Sequence, residues 1–157
     1  MLEAWRPRAM LALAVVGVGI ASYLSWVALD PNKEIACGSF GDCHAVQGSR
    51  YAAIAGVPVA VFGLLMYLGL LALTAGRVTR LGGPAVQDAL PSLTFALALG
   101  GVVYSGYLTY LELAVIYAIC VWCVTSATVV SAIFVLTLPD VAARRGTRRS
   151  PPRAPDV

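Results

Sequence analysis

Four long runs without charged residues constrain this chain more than any other feature. The runs cover residues 10–29, 51–75, 90–111 and 113–138, and none contains Asp, Glu, Lys or Arg. Each run reaches the roughly 20 residues that an α-helix needs to cross a bilayer. Only helices and closed barrels span membranes, and these runs lack the period-two alternation of barrel strands. The sequence therefore predicts an all-α membrane protein, a bundle of four transmembrane helices.

The composition agrees with a membrane protein of one domain. The 157 residues are 59% hydrophobic and only 12% charged, whereas soluble domains carry about 25% charged residues. The first run is long for a signal peptide, no clear Ala-x-Ala cleavage site follows it, and three further spans come after it. We predict one transmembrane domain over residues 1–140 and a basic, disordered tail over residues 141–157.

Basic residues are concentrated in three segments of the chain. They are Arg6 and Arg8, then Arg77 and Arg80, and then Arg144, Arg145, Arg148, Arg149 and Arg153. Four spans place all three segments on one side, and the positive-inside rule makes that side the cytoplasm. We therefore predict that both termini are cytoplasmic and that the basic residues report topology, with no nucleic acid as partner. The outer face then holds a long connection, about residues 30–50, and a short one around Glu112, with no charge inside a span.

The four cysteines all fall on the predicted outer half, where the compartment outside a bacterial cell membrane permits disulfides. Cys37 and Cys43 lie in the long connection, in the sequence CGSFGDC, whose glycines keep it pliable. Cys120 and Cys123 lie in CVWC, at the outer end of the last span. A mobile pair facing water beside a fixed pair at the membrane edge suits a relay in which thiol–disulfide exchange passes electrons from one pair to the other.

The CVWC spacing indicates reactivity at the helix end. Residues three apart on a helix share a face, so the two sulfurs can meet. If the last helix starts near Ala118, both cysteines lie in its first turn, where the helix dipole favours the thiolate.

Other interpretations of the cysteines stay open at this point. Buried cysteines are common as small apolar residues, and one structural disulfide in an external loop is ordinary. Cys37, Cys43, His44 and the CVWC pair also include suitable zinc ligands, although their spacing is unusual. Attachment of c-type haem is disfavoured because Val124, not histidine, follows CVWC. The alternative without a redox reaction is a small four-span scaffold or transporter with one structural disulfide.

The order of these features resembles the vitamin K epoxide reductase family, in its bacterial form, over about residues 10–138. The resemblance rests on four spans, a cysteine pair in the first outer connection, a serine (Ser49) six residues after the second loop cysteine, and CxxC at the outer start of the last span. It implies a four-helix bundle around a quinone, which would be ubiquinone or menaquinone, with no metal required.

The resemblance also implies roles for individual residues. Cys37 would accept electrons from a thioredoxin-like extracytoplasmic protein, Cys43 would exchange with Cys120, and Cys123 would face the quinone. Ser49 would help to position the loop, although a serine there is equally suited to a helix cap or turn. Some bacterial members carry a fused thioredoxin-like domain. We expect only one domain in this chain, and we therefore expect the partner to be a separate protein.

Two positions depart from the animal members of the family. Those enzymes hold the quinone oxygens with an Asn in the second span and a Tyr one turn after the CxxC, where this chain has Val59 and Ala127. The departure puts reduction of an epoxide in doubt, but not reduction of a quinone. The function expected is therefore that of a membrane thiol oxidoreductase that supports disulfide bond formation, with vitamin K epoxide reduction as the alternative.

A quinone pocket needs an apolar slot with a few polar contacts. Tyr104 and Tyr107 recur with Tyr110 at every third residue near the outer end of the third span, and the first two are our candidates for the border of such a slot. An aromatic belt at the membrane interface explains the same spacing. Ser126, one turn beyond Cys123, is a candidate to bond a quinone oxygen, although serine in a helix often bonds its own backbone.

Overall fold

The computed structural model of the chain describes residues 5–30, 32, 34–37 and 41–149. Within these residues, four helices are long and apolar enough to cross a membrane, which confirms the predicted four-helix bundle. In chain order the elements are α1 (Trp5–Leu29), α2 (Cys43–Gln47), β1 (Ala53–Ile54), β2 (Val57–Pro58), α3 (Val59–Val78), α4 (Pro84–Leu111), a π-helical segment (Glu112–Ile116) and α5 (Val121–Arg149).

The four long helices are arranged as a closed ring of neighbours. Helix α1 packs against α3 and α5, and α4 packs against the same two helices. Glycines make room for large side chains of neighbouring helices, and small residues are common between membrane helices. A Cβ atom on Gly17 would overlap the ring of Tyr67, and one on Gly101 would collide with the sulfur of Met66. The ring of Tyr67 is fully buried and fills the centre of the bundle against α1.

One end of the bundle is held by a cluster of ion pairs. Asp140 of α5 contacts Arg6 of α1 at 3.2 Å and Arg77 of α3 at 2.7 Å. The start of α1 and the ends of α3 and α5 therefore lie on the same side, as the distribution of basic residues predicted. That this side is the cytoplasm stays a prediction.

The last helix is longer than we predicted. It continues through Pro139 and ends at Arg149, so the prediction of disorder was wrong for residues 141–149. The stretch just after residue 140 contains Ala and Arg, which favour helix over coil, and it follows a helix that is already nucleated. The remainder of the predicted tail, residues 150–157, lies outside the described residues.

The opposite end carries both cysteine-bearing connections. In the long connection, Asp42 caps α2 by accepting a hydrogen bond from the backbone N–H of Ala45 at 2.9 Å. A two-residue turn at Ala55 and Gly56, with φ of 51° and 83°, then joins β1 to β2, and positive φ at both positions is typical of the hairpin turns that suit twisted strands. Helix α3 starts immediately after Pro58, because proline suits a helix start better than a helix interior. This end of the bundle holds the candidate site.

Candidate active site

The loop cysteines are joined in a disulfide. The Cα atoms of Cys37 and Cys43 are 5.9 Å apart, and the backbone N–H of Cys43 donates to the Cys37 sulfur at 3.1 Å. The two sulfurs differ in exposure: Cys43, at the start of α2, is fully buried, whereas Cys37 is partly exposed. Of the two loop cysteines, Cys37 is therefore the one that solvent reaches.

The loop lies directly against the segment that precedes α5. The backbone N–H of Asp42 donates to the carbonyl of Ile119 at 3.0 Å. Gly41 has a φ of +93°, and a Cβ atom there would collide with the same carbonyl oxygen. We expected glycine to keep this loop pliable. At Gly41 the structure shows a different need for glycine. Only glycine can adopt this positive φ and also lie so close to the Ile119 carbonyl oxygen. Gly38, the other expected source of pliability, lies outside the described residues.

Two aromatic side chains, from α5 and α1, bind the backbone of the loop just before Cys37. The indole N–H of Trp122 donates to the carbonyl of Ala36 at 2.8 Å, and the hydroxyl of Tyr23 accepts from the Ala36 N–H at 3.0 Å. Their ring centroids are 5.0 Å apart. The residue before Cys37 is thus fixed through both of its backbone polar groups, one to α5 and one to α1.

The second cysteine pair lies where α5 begins, slightly later than we predicted. The helix starts at Val121 and not near Ala118, because Tyr117 takes a left-handed φ of 57° and residues 117–120 are not helical. Cys120 therefore directly precedes the helix, and its carbonyl accepts the Val124 N–H at 3.0 Å. Cys123 lies in the first turn, as predicted.

Cys120 is placed to react as a thiolate. Its side chain is fully buried and belongs to the same buried cluster as Cys43. A hydrogen bond from the Cys123 side chain lowers the pKa of Cys120 to about 7, against the opposing effects of burial and of the nearby Glu112 carboxyl. A thiolate present near neutral pH can attack a disulfide, since the thiolate is the nucleophilic form.

A cavity of about 300 Å³ lies inside the bundle below the cysteines. Its wall is mainly apolar and comes from all four long helices and the long connection. The residues with polar side chains on it include Cys123, Ser126, Tyr104, Glu112, Ser49 and Tyr51. Cys123 of the CVWC pair therefore borders a mainly apolar cavity, whereas the loop disulfide is not part of its wall.

The remaining predicted site residues differ in their placement. Tyr104 lines the cavity, but Tyr107 is not among the lining residues, is 51% exposed and touches Tyr104 at a ring distance of 6.3 Å. The position of Tyr107 fits the aromatic-belt interpretation. The Ser126 hydroxyl lies 3.1 Å from the hydroxyl of Tyr67 and also faces the cavity. Ser49 donates to the carbonyl of Val46 at 2.8 Å, which makes it a turn residue at the cavity edge.

Glu112 is the residue that sequence reasoning missed. We assigned it to a short outer connection and expected no charged residue in a span. The structure instead places it at the end of a continuous span (Pro84–Ile116), with its side chain only 3% exposed. One carboxylate oxygen accepts the backbone N–H of Cys120 at 3.1 Å, and the carboxyl also hydrogen-bonds the Cys123 side chain. The signal was available, because Glu112 is the only charged residue between Asp88 and Asp140.

Four spans that hold two cysteine pairs at one end of a bundle, one pair buried above an apolar cavity, define a class of membrane proteins built for thiol–disulfide exchange. The family model described as the vitamin K epoxide reductase family matches residues 8–138. This match covers most of the chain, and the chain therefore belongs to that family. Its members are oxidoreductases that use quinones as electron partners and typically work with thioredoxin-like proteins.

Proposed function

We propose that this protein oxidises a separate thioredoxin-like extracytoplasmic protein and passes the two electrons to a membrane quinone, thereby supporting disulfide bond formation. Electrons enter at Cys37, move from Cys43 to Cys120, and leave from Cys123. Each exchange breaks one S–S bond and forms another through a mixed disulfide, so no metal is required.

The observation that carries this proposal is the contact between the two segments that carry the cysteine pairs. Backbone and indole hydrogen bonds keep the loop disulfide against the start of α5. Cys43 and Cys120 are both fully buried in one cluster while the loop disulfide is in place. Cys37 is only partly buried, as a cysteine that meets a protein partner must be.

The cavity fits a quinone head group. A volume of about 300 Å³ lies at the lower end of the range for small-molecule pockets, which runs from roughly 300 to 1,000 Å³. Its apolar wall suits a flat ring, and its few hydroxyl and carboxyl groups suit two quinone oxygens. A quinone supplies an acceptor for two electrons and two protons, and Cys123 is the sulfur that faces it. The quinone is proposed to be ubiquinone or menaquinone.

Both termini are proposed to be cytoplasmic and the cysteine end to face the outside of a bacterial cell membrane. The support is the count of basic residues, because nine of the eleven lie at the end where α1 begins or in the chain after residue 143. The cysteine end then meets an oxidising compartment, in which disulfides persist.

The test compares two cysteine variants with two electron donors. Cys37→Ser is expected to abolish oxidation of a protein thiol partner while sparing quinone reduction driven by a small dithiol that reaches Cys120 directly. Cys123→Ser is expected to stop both reactions. Equal loss from Cys37→Ser with both donors would contradict the assignment, because Cys37 would then be structural.

The alternative within the family is reduction of a vitamin K epoxide. Val59 lines the cavity, at the position where the resemblance places an asparagine in the animal enzymes. A valine side chain offers no hydrogen bond to an epoxide oxygen, so quinone is the favoured substrate. Assaying the purified protein with a naphthoquinone and with its epoxide, side by side, distinguishes the two activities.

A further inference from the structure

Glu112 is a carboxyl group placed between the redox sulfurs and the apolar cavity. It lines the cavity, is 3% exposed, and hydrogen-bonds both the backbone of Cys120 and the side chain of Cys123. An acidic group buried in a membrane-spanning segment is costly and marks a functional site by default. A neutral asparagine or glutamine could accept the Cys120 N–H equally well. The hydrogen bond alone therefore does not explain a carboxyl group there.

The chemistry of the proposed reaction supplies that explanation. When the pair reduces a quinone, the S–H bonds of Cys120 and Cys123 break and one S–S bond forms between them. Two electrons and two protons then convert the quinone into a hydroquinone. Electrons pass directly between touching groups, but a proton inside an apolar cavity needs a group that can accept and release it. Serine and tyrosine hydroxyls on the wall are poor proton acceptors near neutral pH.

We propose that Glu112 is the proton carrier of the quinone-reducing step. Its carboxylate takes the proton of the Cys123 thiol and would give it to an oxygen of the bound quinone, so that the carboxylate is regenerated after each transfer. The regenerated carboxylate then takes the proton of Cys120, which lies beside it, so that two transfers supply both protons of the hydroquinone. This inference rests on the proposed function and assigns one of its steps to a residue.

The experiment separates the two half-reactions in single-turnover assays on the purified protein. The quinone step is measured on the fully reduced protein, and the exchange step on protein that keeps the loop disulfide and has Cys120 reduced. Glu112→Gln keeps the size and the acceptor oxygen for the Cys120 N–H but cannot carry a proton. Quinone reduction, measured with a short-tailed benzoquinone, is expected to slow by about 10²- to 10⁴-fold, which is the usual contribution of general acid–base catalysis. Exchange between the loop disulfide and Cys120, measured without quinone, is expected to stay near the wild-type rate.

Two further variants serve as controls. Asp88→Asn makes the same carboxyl-to-amide change on an exposed residue of α4 and is expected to behave as wild type. Glu112→Asp keeps a carboxyl group and is expected to reduce quinone about tenfold faster than Glu112→Gln, or more, because it can still exchange protons.

The outcomes distinguish the two proposals. If the wild-type protein reduces no quinone, the proposed function fails. If the wild type is active and Glu112→Gln matches it, or if Glu112→Gln loses thiol exchange together with quinone reduction, the proton-carrying role is overturned. If thiol exchange is lost as well, Glu112 is a structural residue that positions Cys120.

Discussion

Replacing Gly41 by alanine is expected to slow exchange between the two cysteine pairs. Gly41 has a φ of +93°, which alanine adopts at a cost of about 1–2 kcal/mol. The added Cβ atom also collides with the carbonyl of Ile119, so the hydrogen bond from the Asp42 N–H to that carbonyl is lost, at a further cost of about 1 kcal/mol. The total of about 2–3 kcal/mol corresponds to a roughly 30- to 140-fold smaller ratio of docked to undocked loop, because each 1.4 kcal/mol is tenfold.

The assay follows one exchange reaction in a Cys123→Ser background. The Cys120 thiolate attacks Cys43, the Cys43–Cys120 bond forms, and the Cys37 thiol is released and can be alkylated. The rate of Cys37 alkylation, mapped by mass spectrometry, is expected to fall in Gly41→Ala in proportion to the docked population.

The matched control is Gly56→Ala. Gly56 also has a positive φ, +83°, but a Cβ atom there meets nothing within 4 Å. It therefore shares the backbone strain without the contact with Ile119, and exchange should stay near the wild-type rate. Equal rates in Gly41→Ala and the unmodified loop would refute the reasoning, because the docked loop would not be the geometry from which exchange occurs.

Three further predictions follow from the same site. Cys123→Ser should accumulate the Cys43–Cys120 disulfide, because it removes the neighbouring thiol that resolves this bond; peptide mapping after acid quenching that finds only the loop disulfide and free Cys120 would contradict the relay. In the reduced protein the alkylation rate of Cys120 should rise with pH around a midpoint of about 7, and Cys123→Ala should move that midpoint upward by removing the hydrogen bond to the thiolate; a wild-type midpoint at about 8.5, the value of a free cysteine, would count against it. A single cysteine introduced at residue 85, between α3 and α4, should resist membrane-impermeant reagents in intact cells, and labelling from outside would reverse the proposed orientation.

The spans were predictable because their cause is local. An uncharged run long enough to cross a bilayer has few other stable arrangements, so the four runs marked four helices. The positions of the cysteines relative to the four runs likewise predicted that both pairs lie at the same end of the bundle. The boundary at α5 was missed because Tyr117 adopts a left-handed conformation that is usual for glycine and not signalled by tyrosine.

The parts of the site that sequence reasoning missed depend on contacts between distant segments. Nothing in the local sequence indicates that Trp122 bonds Ala36, a residue 86 positions earlier. Glu112 was assigned to a connection because a charge usually ends a span. Here two partners at the start of α5 satisfy the carboxyl group, so the span continues past it. Such compensation is visible only when the helices are assembled.

The ion cluster at the other end of the bundle has a consequence for biosynthesis. Asp140 is the acceptor for both Arg6 and Arg77, and it is the last of the three to leave the ribosome. Helices α1, α3 and α4 enter the membrane before this carboxylate exists. The cluster can therefore form only after the fourth span has been synthesised, so it stabilises the finished bundle and none of its shorter precursors.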